Sequence, residues 1–108
     1  RDLPRPTPLI GGDRAMREKE LEKKLTLEVK KRGGLAVKFV SSGFDGMPDR
    51  IVLMPGGIIA FVEVKAPGKR PRLLQIARHK FLRGLGFLVF VLDDEKKIGG
   101  VLDAVQAT

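Results

Sequence analysis

The spacing of apolar residues in the first third of the chain predicts one long amphipathic helix. Between Arg17 and Arg32, the residues Leu21, Leu25 and Val29 recur every four positions, and Gly33-Gly34 follows as a stop signal. At about 100° per residue the three apolar side chains form one stripe. We therefore expect this helix to pack one face against a core.

Four segments further along the chain have the apolar patterns of β-strands. They are Leu35 to Val40, Arg50 to Met54, Ile58 to Lys65 and Phe87 to Leu92. Pro55-Gly56-Gly57 predicts a tight turn that joins the second and third strands as a hairpin. Because the third strand is almost continuously apolar, it is predicted to be central and covered on both faces.

Two more helices complete the predicted order of elements. Arg72 to Arg83 repeats apolar residues at helical spacing, and Val101 to Val105 indicates a short final helix. A strand that follows the second helix and runs parallel to its neighbour needs a crossover connection. We therefore predict an α/β fold of order α-β-β-β-α-β-α, in which a mixed β-sheet is flanked by helices.

The length of the chain predicts one folded domain, since 108 residues are enough for one compact domain and too few for two. Residues 1–15 contain three of the seven prolines and show no amphipathic period. We predict a flexible leader or a cloning remnant there, with Met16 as the natural start. Residues 16–108 then form the single domain.

The composition limits both the class of partner and the kind of metal site that we expect for this protein. A formal charge of +8, from 21 Lys and Arg against 13 Asp and Glu, fits a polyanion such as DNA better than an acidic small molecule. The chain has no Cys and one His, which excludes disulfides, thiolate ligands and a His-rich zinc site. Any metal ion is therefore expected to have oxygen ligands, as Mg²⁺ and Mn²⁺ do.

Membrane and export signals are missing from the sequence. No apolar run approaches the roughly 18 residues of a membrane span, and no signal-peptide pattern is visible. These features predict a soluble, cytoplasmic protein.

Asp49, Glu63 and Lys65 are the residues whose pattern indicates chemistry. Asp49 follows Pro48 at the start of the second strand, and Glu63 and Lys65 lie near the end of the third. Because the two strands form a hairpin, their acids can converge at one end of the sheet, and Glu63 and Lys65 share a strand face. Two close carboxylates repel each other unless a cation lies between them, and a divalent ion there can activate water to attack a phosphodiester. The backbone carbonyl of Val64 is a further candidate ligand.

The same residues also fit a purely structural interpretation. In it, Asp49 caps a turn, and Glu63 and Lys65 form a surface ion pair on an amphipathic strand. Against this, Glu63 and Lys65 interrupt an otherwise apolar run, where a charge is costly and needs a reason. The apolar context therefore favours a functional site.

A longer motif extends from the second strand to the fourth. It consists of G-x-P-D-R at Gly46 to Arg50, F-V-E-V-K-A-P-G at Phe61 to Gly68, Gln75 in the next helix, and L-G-F at Leu85 to Phe87. This combination resembles the virus-type replication-repair nuclease (VRR-Nuc) family of the PD-(D/E)XK superfamily, in the stand-alone type of phages and prophages. The resemblance covers nearly the whole chain after residue 15 and implies a restriction-endonuclease-like fold.

By position, the resemblance implies a role for each residue of the motif. Asp49 and Glu63 match the family's metal-binding acids, Lys65 matches its catalytic lysine, and Gln75 matches its helical glutamine near the site.

The resemblance also implies an acid on the first helix, and here two residues fit. Glu18 and Glu22 both lie on or beside the apolar stripe, and the spacing of Glu18 to Leu21 and Gly33 favours Glu18 as the catalytic and metal-binding acid. Val64 stands where many members have Leu, a difference that affects packing and leaves the chemistry intact.

The function that the resemblance implies is an endodeoxyribonuclease that depends on Mg²⁺ or Mn²⁺ and works as a homodimer in the host cell of a phage or prophage. Kinship with Holliday junction resolvases implies branched or junction DNA as the substrate. Two alternatives stay open: a flap or single-strand nuclease with the same catalytic residues, and a catalytically inactive, basic nucleic-acid-binding module whose acids are structural. The intact set of Asp49, Glu63 and Lys65 argues against the second.

Basic residues after the third strand are predicted to contact DNA phosphates, with an ordinary solvated face as the alternative. They are Lys69, Arg70, Arg72, Arg78 and Lys80. His79 lies four residues after Gln75 and shares its helical face, as either a general base or a structural residue. For the dimer interface, the candidates are the apolar residues of the last strand and the C-terminal segment, with a core role for them as the alternative.

Overall fold

The computed structural model describes residues 10–108, with side chains described from residue 17 onward. The helices are α1 (Ile10–Lys31), α2 (Leu73–Gly84) and α3 (Ile98–Gln106), and the strands are β1 (Leu35–Lys38), β2 (Arg50–Met54), β3 (Ile58–Val64) and β4 (Leu88–Leu92). The sheet has the order β1-β2-β3-β4, with antiparallel pairing up to β3 and parallel pairing between β3 and β4. The predicted α/β fold and its order of elements are confirmed.

Helix α1 differs most from its predicted bounds. It begins at Ile10, well before the predicted start at Arg17, and its first buried side chain among those described is Leu21. An apolar stripe indicates which residues of a helix contact the core, and the helix itself can begin several residues earlier. The predicted leader falls partly on residues 1–9, which lie outside the described residues. Within the described part of the chain, no helix has the length and apolar character that a membrane crossing requires.

The main hydrophobic core lies between one face of the sheet and the helices α1 and α3. The predicted stripe of α1 is buried there with residues from all four strands and from α3. The buried residues are Leu21, Leu25, Val29, Ala36, Val52, Met54, Ala60, Val62, Val64, Leu92, Ile98, Leu102 and Val105. The apolar residues of the C-terminal segment therefore serve the core, which was the alternative to a dimer interface.

Gly34 lets the end of α1 pass close to β2. A Cβ atom at this position would come within 2.5 Å of the Leu53 carbonyl oxygen and 2.6 Å of Met54 Sδ. Both distances are far inside van der Waals contact, so any side chain would force the helix end away from the sheet.

The opposite face of the sheet is covered only in part. Helix α2 packs there on a smaller cluster of Phe61, Leu82 and Val89. The prediction that β3 is central is confirmed, and its residues from Ala60 to Val64 are buried, whereas Ile59 remains 44% exposed.

Apolar residues on this second face form a continuous exposed surface beyond α2. Leu35, Leu53 and Ile59 are neighbours across β1, β2 and β3 by strand register, and each is at least one-third exposed. We define the open face as Leu35, Val37, Leu53, Ile59 and Phe87.

Candidate active site

Asp49 is held at the start of β2 by the chain on either side of it. Pro48 is fully buried, and its ring restricts the backbone just before the acid. The ladder between β2 and β3 ends at the pair Arg50–Val62, and beyond that pair the Val64 N–H donates to Asp49 Oδ1 at 3.1 Å. The carboxylate thus takes the place of a backbone acceptor and lies beside the last residues of β3.

The turn before Asp49 depends on Gly46. Its φ of +89° lies in the left-handed region, and a Cβ atom there would come 2.8 Å from Leu74 Cγ and 3.1 Å from the Leu74 carbonyl oxygen. A glycine is required both by the backbone conformation and by the close packing. The loop that carries Asp49 therefore rests directly on α2.

Glu63 is a buried carboxylate that α2 holds by a hydrogen bond. Only 3% of the residue is exposed, and its Oε2 accepts from Gln75 Nε2 at 3.1 Å. Gln75 Oε1 in turn accepts from the Arg72 N–H at 2.8 Å, which ties the amide to the first turn of α2. Lys65 Nζ lies 3.7 Å from the same Glu63 oxygen. The predicted acid, lysine and glutamine are thus brought together.

His79 also lies close to Glu63. The sequence pattern left open whether His79 is a general base or a structural residue. The residue is 2% exposed, and its Nε2 lies 3.6 Å from Glu63 Oε1; neither of these two buried atoms has a hydrogen-bond partner in the described part of the chain. Burial lowers the pKa of His79, and the cations Arg83 and Lys65 lower it further, so the imidazole is neutral at neutral pH. The signal in the sequence was the four-residue spacing from Gln75, which puts both side chains on one face of α2.

The two candidate acids of α1 have different partners. Glu18 Oε2 accepts from the Ala66 N–H at 3.3 Å, which brings Glu18 to the end of β3. Glu22 Oε1 lies 2.9 Å from Arg50 Nη2, in a partly buried ion pair. Among the residues that the structure describes, Glu18 has no ion-pair partner of this kind, and its role as the helix acid stays a prediction.

Comparisons with known proteins bear directly on this arrangement. The chain is 49% identical over 93 residues to "Putative nuclease p44" of Acyrthosiphon pisum secondary endosymbiont phage 1, a match that covers 86% of this chain and 99% of that protein. A solved structure named "VRR_NUC domain" aligns with a TM-score of 0.76 and 32% identity, over 81% of this chain and 95% of that one. A scan against models of known protein families gives no match.

The chain belongs to the VRR-Nuc family.

Membership confirms the resemblance drawn from the motif and makes the protein a nuclease of the VRR-Nuc type. Five of the residues predicted from the motif have contacts near the end of β3, and their catalytic roles stay predictions: they are Glu18, Asp49, Glu63, Lys65 and Gln75. The hydrogen bond between Val64 and Asp49 uses the N–H of Val64. The role of the Val64 carbonyl as a metal ligand stays a prediction.

Burial raises the pKa of both central acids in this VRR-Nuc site. The pKa of Asp49 rises from 3.8 to about 6, mainly through burial and further through Glu22 and Glu18, while the Val64 N–H and Arg50 oppose the shift. The pKa of Glu63 rises from 4.5 to about 7, through burial and then the charge of Asp49, with Lys65 opposing. Near neutral pH, the carboxyl groups of Asp49 and Glu63 can therefore bind a proton or a cation.

The basic residues predicted to bind DNA fall into two groups. Lys69, Arg70, Arg72 and Lys80 have exposed side chains, on the segment between β3 and α2 and on α2 itself, and their contact with DNA stays a prediction. Arg78 is engaged within the fold: its guanidinium lies 3.9 Å from the centre of the Phe44 ring, and its Nε donates to the Asp45 carbonyl at 2.7 Å. Arg78 thus secures the loop before Asp49, and its phosphate contact stays a prediction.

Proposed function

We propose that this protein is a divalent-metal-dependent endodeoxyribonuclease that acts on branched DNA as a homodimer. The observation that carries the proposal is the Glu63 carboxylate, which is buried near Asp49: Gln75 donates to one oxygen, and the other has no hydrogen-bond partner among the described residues. An unpaired buried carboxylate oxygen costs free energy unless something binds it. Glu63 and Asp49 would hold a divalent cation, which would supply that partner.

The donor set fits Mg²⁺ or Mn²⁺. Within the described part of the chain, no three His, Asp or Glu side chains already stand at the spacing of a metal site. Asp49 and Glu63, joined by Glu18 and the Val64 carbonyl, would offer only oxygen atoms, which hard cations prefer. When bound, the ion lowers the pKa of an attacking water and polarises the scissile phosphate.

The chain's own side chains have distinct tasks in this mechanism. Lys65, close to Glu63 and only 13% exposed in its side chain, places a positive charge where the phosphate would lie and can orient the attacking water. Gln75 restrains Glu63 by its hydrogen bond, which fixes the orientation of the carboxylate beside Lys65. The exposed cations of residues 69–72 and 80 would hold the DNA backbone on the α2 side.

The choice of branched DNA and of a homodimer rests on family kinship, and the open face supports the second part. An apolar surface of several adjacent side chains on a small protein is typical of a protein–protein contact. Two sites related by a two-fold axis would suit a nearly symmetric four-way junction. We place this activity in the cytoplasm of the phage's host cell.

The test compares cleavage of a labelled four-way junction, a linear duplex, a flap and a single strand, with Mg²⁺, Mn²⁺ or EDTA. The variants are wild type, Lys65→Ala and, as a matched control, Lys96→Ala, an exposed lysine of the 3-10 turn Glu95–Lys97. We expect metal-dependent symmetric nicking of the junction, lost in Lys65→Ala and kept in Lys96→Ala.

Other outcomes separate the alternatives. Preferred cutting of flaps or single strands would keep the nuclease and discard the junction substrate. Tight DNA binding without cutting under any metal would support the inactive binding module instead.

A further inference from the structure

Several lysines of α1 and β1 have no charged partner among the residues whose side chains the structure describes. Lys24 is paired with Glu95, Lys97 with Asp93, and Arg32 with Asp103. Among the described residues, no ion pair or side-chain hydrogen bond engages Lys19, Lys23, Lys30 or Lys38, all of which are exposed. Unpaired cations that cluster on one surface are available to an anionic ligand.

Three of these lysines form a stripe along α1. Lys19, Lys23 and Lys30 fall within about 40° of one another around the helix, at 100° per residue, and span about 16 Å at 1.5 Å per residue. They line an open groove of about 570 Å³ that also contains Arg50. The groove lining includes one acid, Glu22, which is already paired with Arg50 at 2.9 Å.

Arg50 lines the groove on the side of the sheet, and a lysine of the edge strand β1 lies beside it. Strand register places Lys38 of β1 directly opposite Arg50 of β2. Both residues have the strand parity of the buried Ala36 and Val52, so they belong to the sheet face that α1 covers. Lys38 therefore extends the positive surface from the helix onto the edge of the sheet.

Both walls begin at the active site. Lys19 directly follows Glu18, whose carboxylate reaches the Ala66 N–H, and Arg50 directly follows Asp49. From this end, the stripe of α1 leads away from the catalytic residues on the side of the sheet opposite to α2. If residues 69–80 bind one arm of a branched DNA on the α2 side, a second arm of the same DNA would lie on the α1 side.

We propose that this α1 groove, defined by Lys19, Lys23, Lys30, Lys38 and Arg50, binds the phosphate backbone of a DNA arm next to the cleavage site. The inference rests on the proposed DNA substrate and adds a second contact surface to it. Its length matches about five nucleotides of one strand at 3.4 Å each. Lysines act on phosphates as point charges, so the contact is independent of base sequence.

The first test measures DNA affinity by fluorescence anisotropy across a range of NaCl concentrations, with Ca²⁺ or EDTA to prevent cutting. The groove variant is the double substitution Lys23→Gln with Lys30→Gln. The matched control is Lys31→Gln with Lys96→Gln, which removes the same charge from exposed lysines outside the groove. We expect the groove variant to reduce the slope of log affinity against log salt by about 2 and the affinity about tenfold, with the control near wild type.

A second test uses the absence of cysteine from the chain. Lys23→Cys and Lys31→Cys would each carry one photo-crosslinker, and no other residue would react with the thiol-specific reagent. We expect DNA crosslinks from position 23 and few from position 31. Both substitutions are on the exposed surface of α1, so folding can be verified by circular dichroism.

The outcomes distinguish this inference from the proposed function. If wild type cuts DNA while the groove variant retains wild-type affinity and salt slope, or loses no more than the control, the groove is not a DNA contact. If wild type neither binds nor cuts any DNA, the proposed function itself is wrong.

Discussion

At the scale of single residues, the acids of the site are placed where ionisation opposes folding. Glu63 has an exposed fraction of 3% and a pKa raised from 4.5 to about 7. A raised pKa means that the folded state prefers the protonated form. The contribution of this group to stability is therefore fully present below about pH 4.5 and is lost as pH rises through about 7.

We predict that Glu63→Gln stabilises the metal-free protein at high pH. The amide cannot ionise, so at pH 8 in EDTA its free energy of unfolding should exceed that of wild type by about 2 kcal/mol. At pH 4.5 the two proteins should be nearly equal, while the variant should not cut DNA at any pH. Urea unfolding at both pH values measures this, with the exposed acid variant Glu20→Gln as the control.

A lower stability of Glu63→Gln at pH 8 would show that the ionised carboxylate helps the fold. The interpretation of Glu63 as an acid held at a cost for function would then be wrong.

At the scale of elements, α2 determines how Glu63 is oriented. Gln75 and His79, one turn apart, approach the two oxygens of the same carboxylate, and both are buried. Leu82 anchors the same helix in the small core on this face. The helix thus acts both as a cover for the sheet and as a support for the site.

We predict that His79→Leu impairs catalysis more than stability. Loss of the imidazole leaves one Glu63 oxygen without its neighbour, and removal of such supporting groups typically costs about 10- to 100-fold in metal affinity or activity. The Mn²⁺ concentration for half-maximal cleavage should rise, and His79→Gln, which keeps a nitrogen donor, should restore part of the activity.

The control for this prediction is Leu82→Ala in the same helix. It should lower the free energy of unfolding by about 2–5 kcal/mol while leaving the Mn²⁺ dependence of the folded enzyme unchanged. If His79→Leu likewise lowers only the free energy of unfolding and leaves the Mn²⁺ dependence unchanged, His79 has a structural role alone.

At the scale of the whole molecule, the two sides of the sheet have different roles. One side is sealed by α1 and α3, while the other leaves the open face uncovered beside α2. A second copy of the chain that packs there would remove Leu35, Leu53 and Ile59 from water, at about 25 cal/mol per Å² of apolar surface. A dimer formed in this way would leave the catalytic end of β3 accessible.

We predict that wild type sediments at twice the chain mass of 11.9 kDa and that Ile59→Glu sediments as a monomer. A charge in the middle of the open face would have to be buried without a partner on association. Leu27→Glu, at an exposed leucine of α1, is the control and should stay dimeric. A wild-type monomer at micromolar concentration, or a dimeric Ile59→Glu, would exclude this interface.

Local features of the sequence were sufficient to predict most of the fold and to single out the residues Asp49, Glu63 and Lys65 at one end of the hairpin. The four-residue spacing of Leu21, Leu25 and Val29, and the turn between β2 and β3, depend on contacts between near neighbours in the chain, so they are visible in the sequence. The motif around Asp49 and Glu63 likewise lies within one hairpin. The absence of Cys and the single His limited the ligands of any proposed metal site largely to oxygen, without any knowledge of the structure.

The remaining features depended on packing between distant segments. Glu18 contacts Ala66, which lies 48 residues further along the chain, and this contact distinguishes Glu18 from Glu22. Arg78 stacks on Phe44, although the sequence analysis grouped it with the cations that contact DNA. The open face exists because α2 covers only part of the sheet. Local periodicity by itself determined the buried stripe of α1, whereas in α2 the buried residues are Gln75, His79 and Leu82 and most apolar side chains are exposed. Only the tertiary structure decided what each side chain meets, because those distances are set by how the helices pack on the sheet.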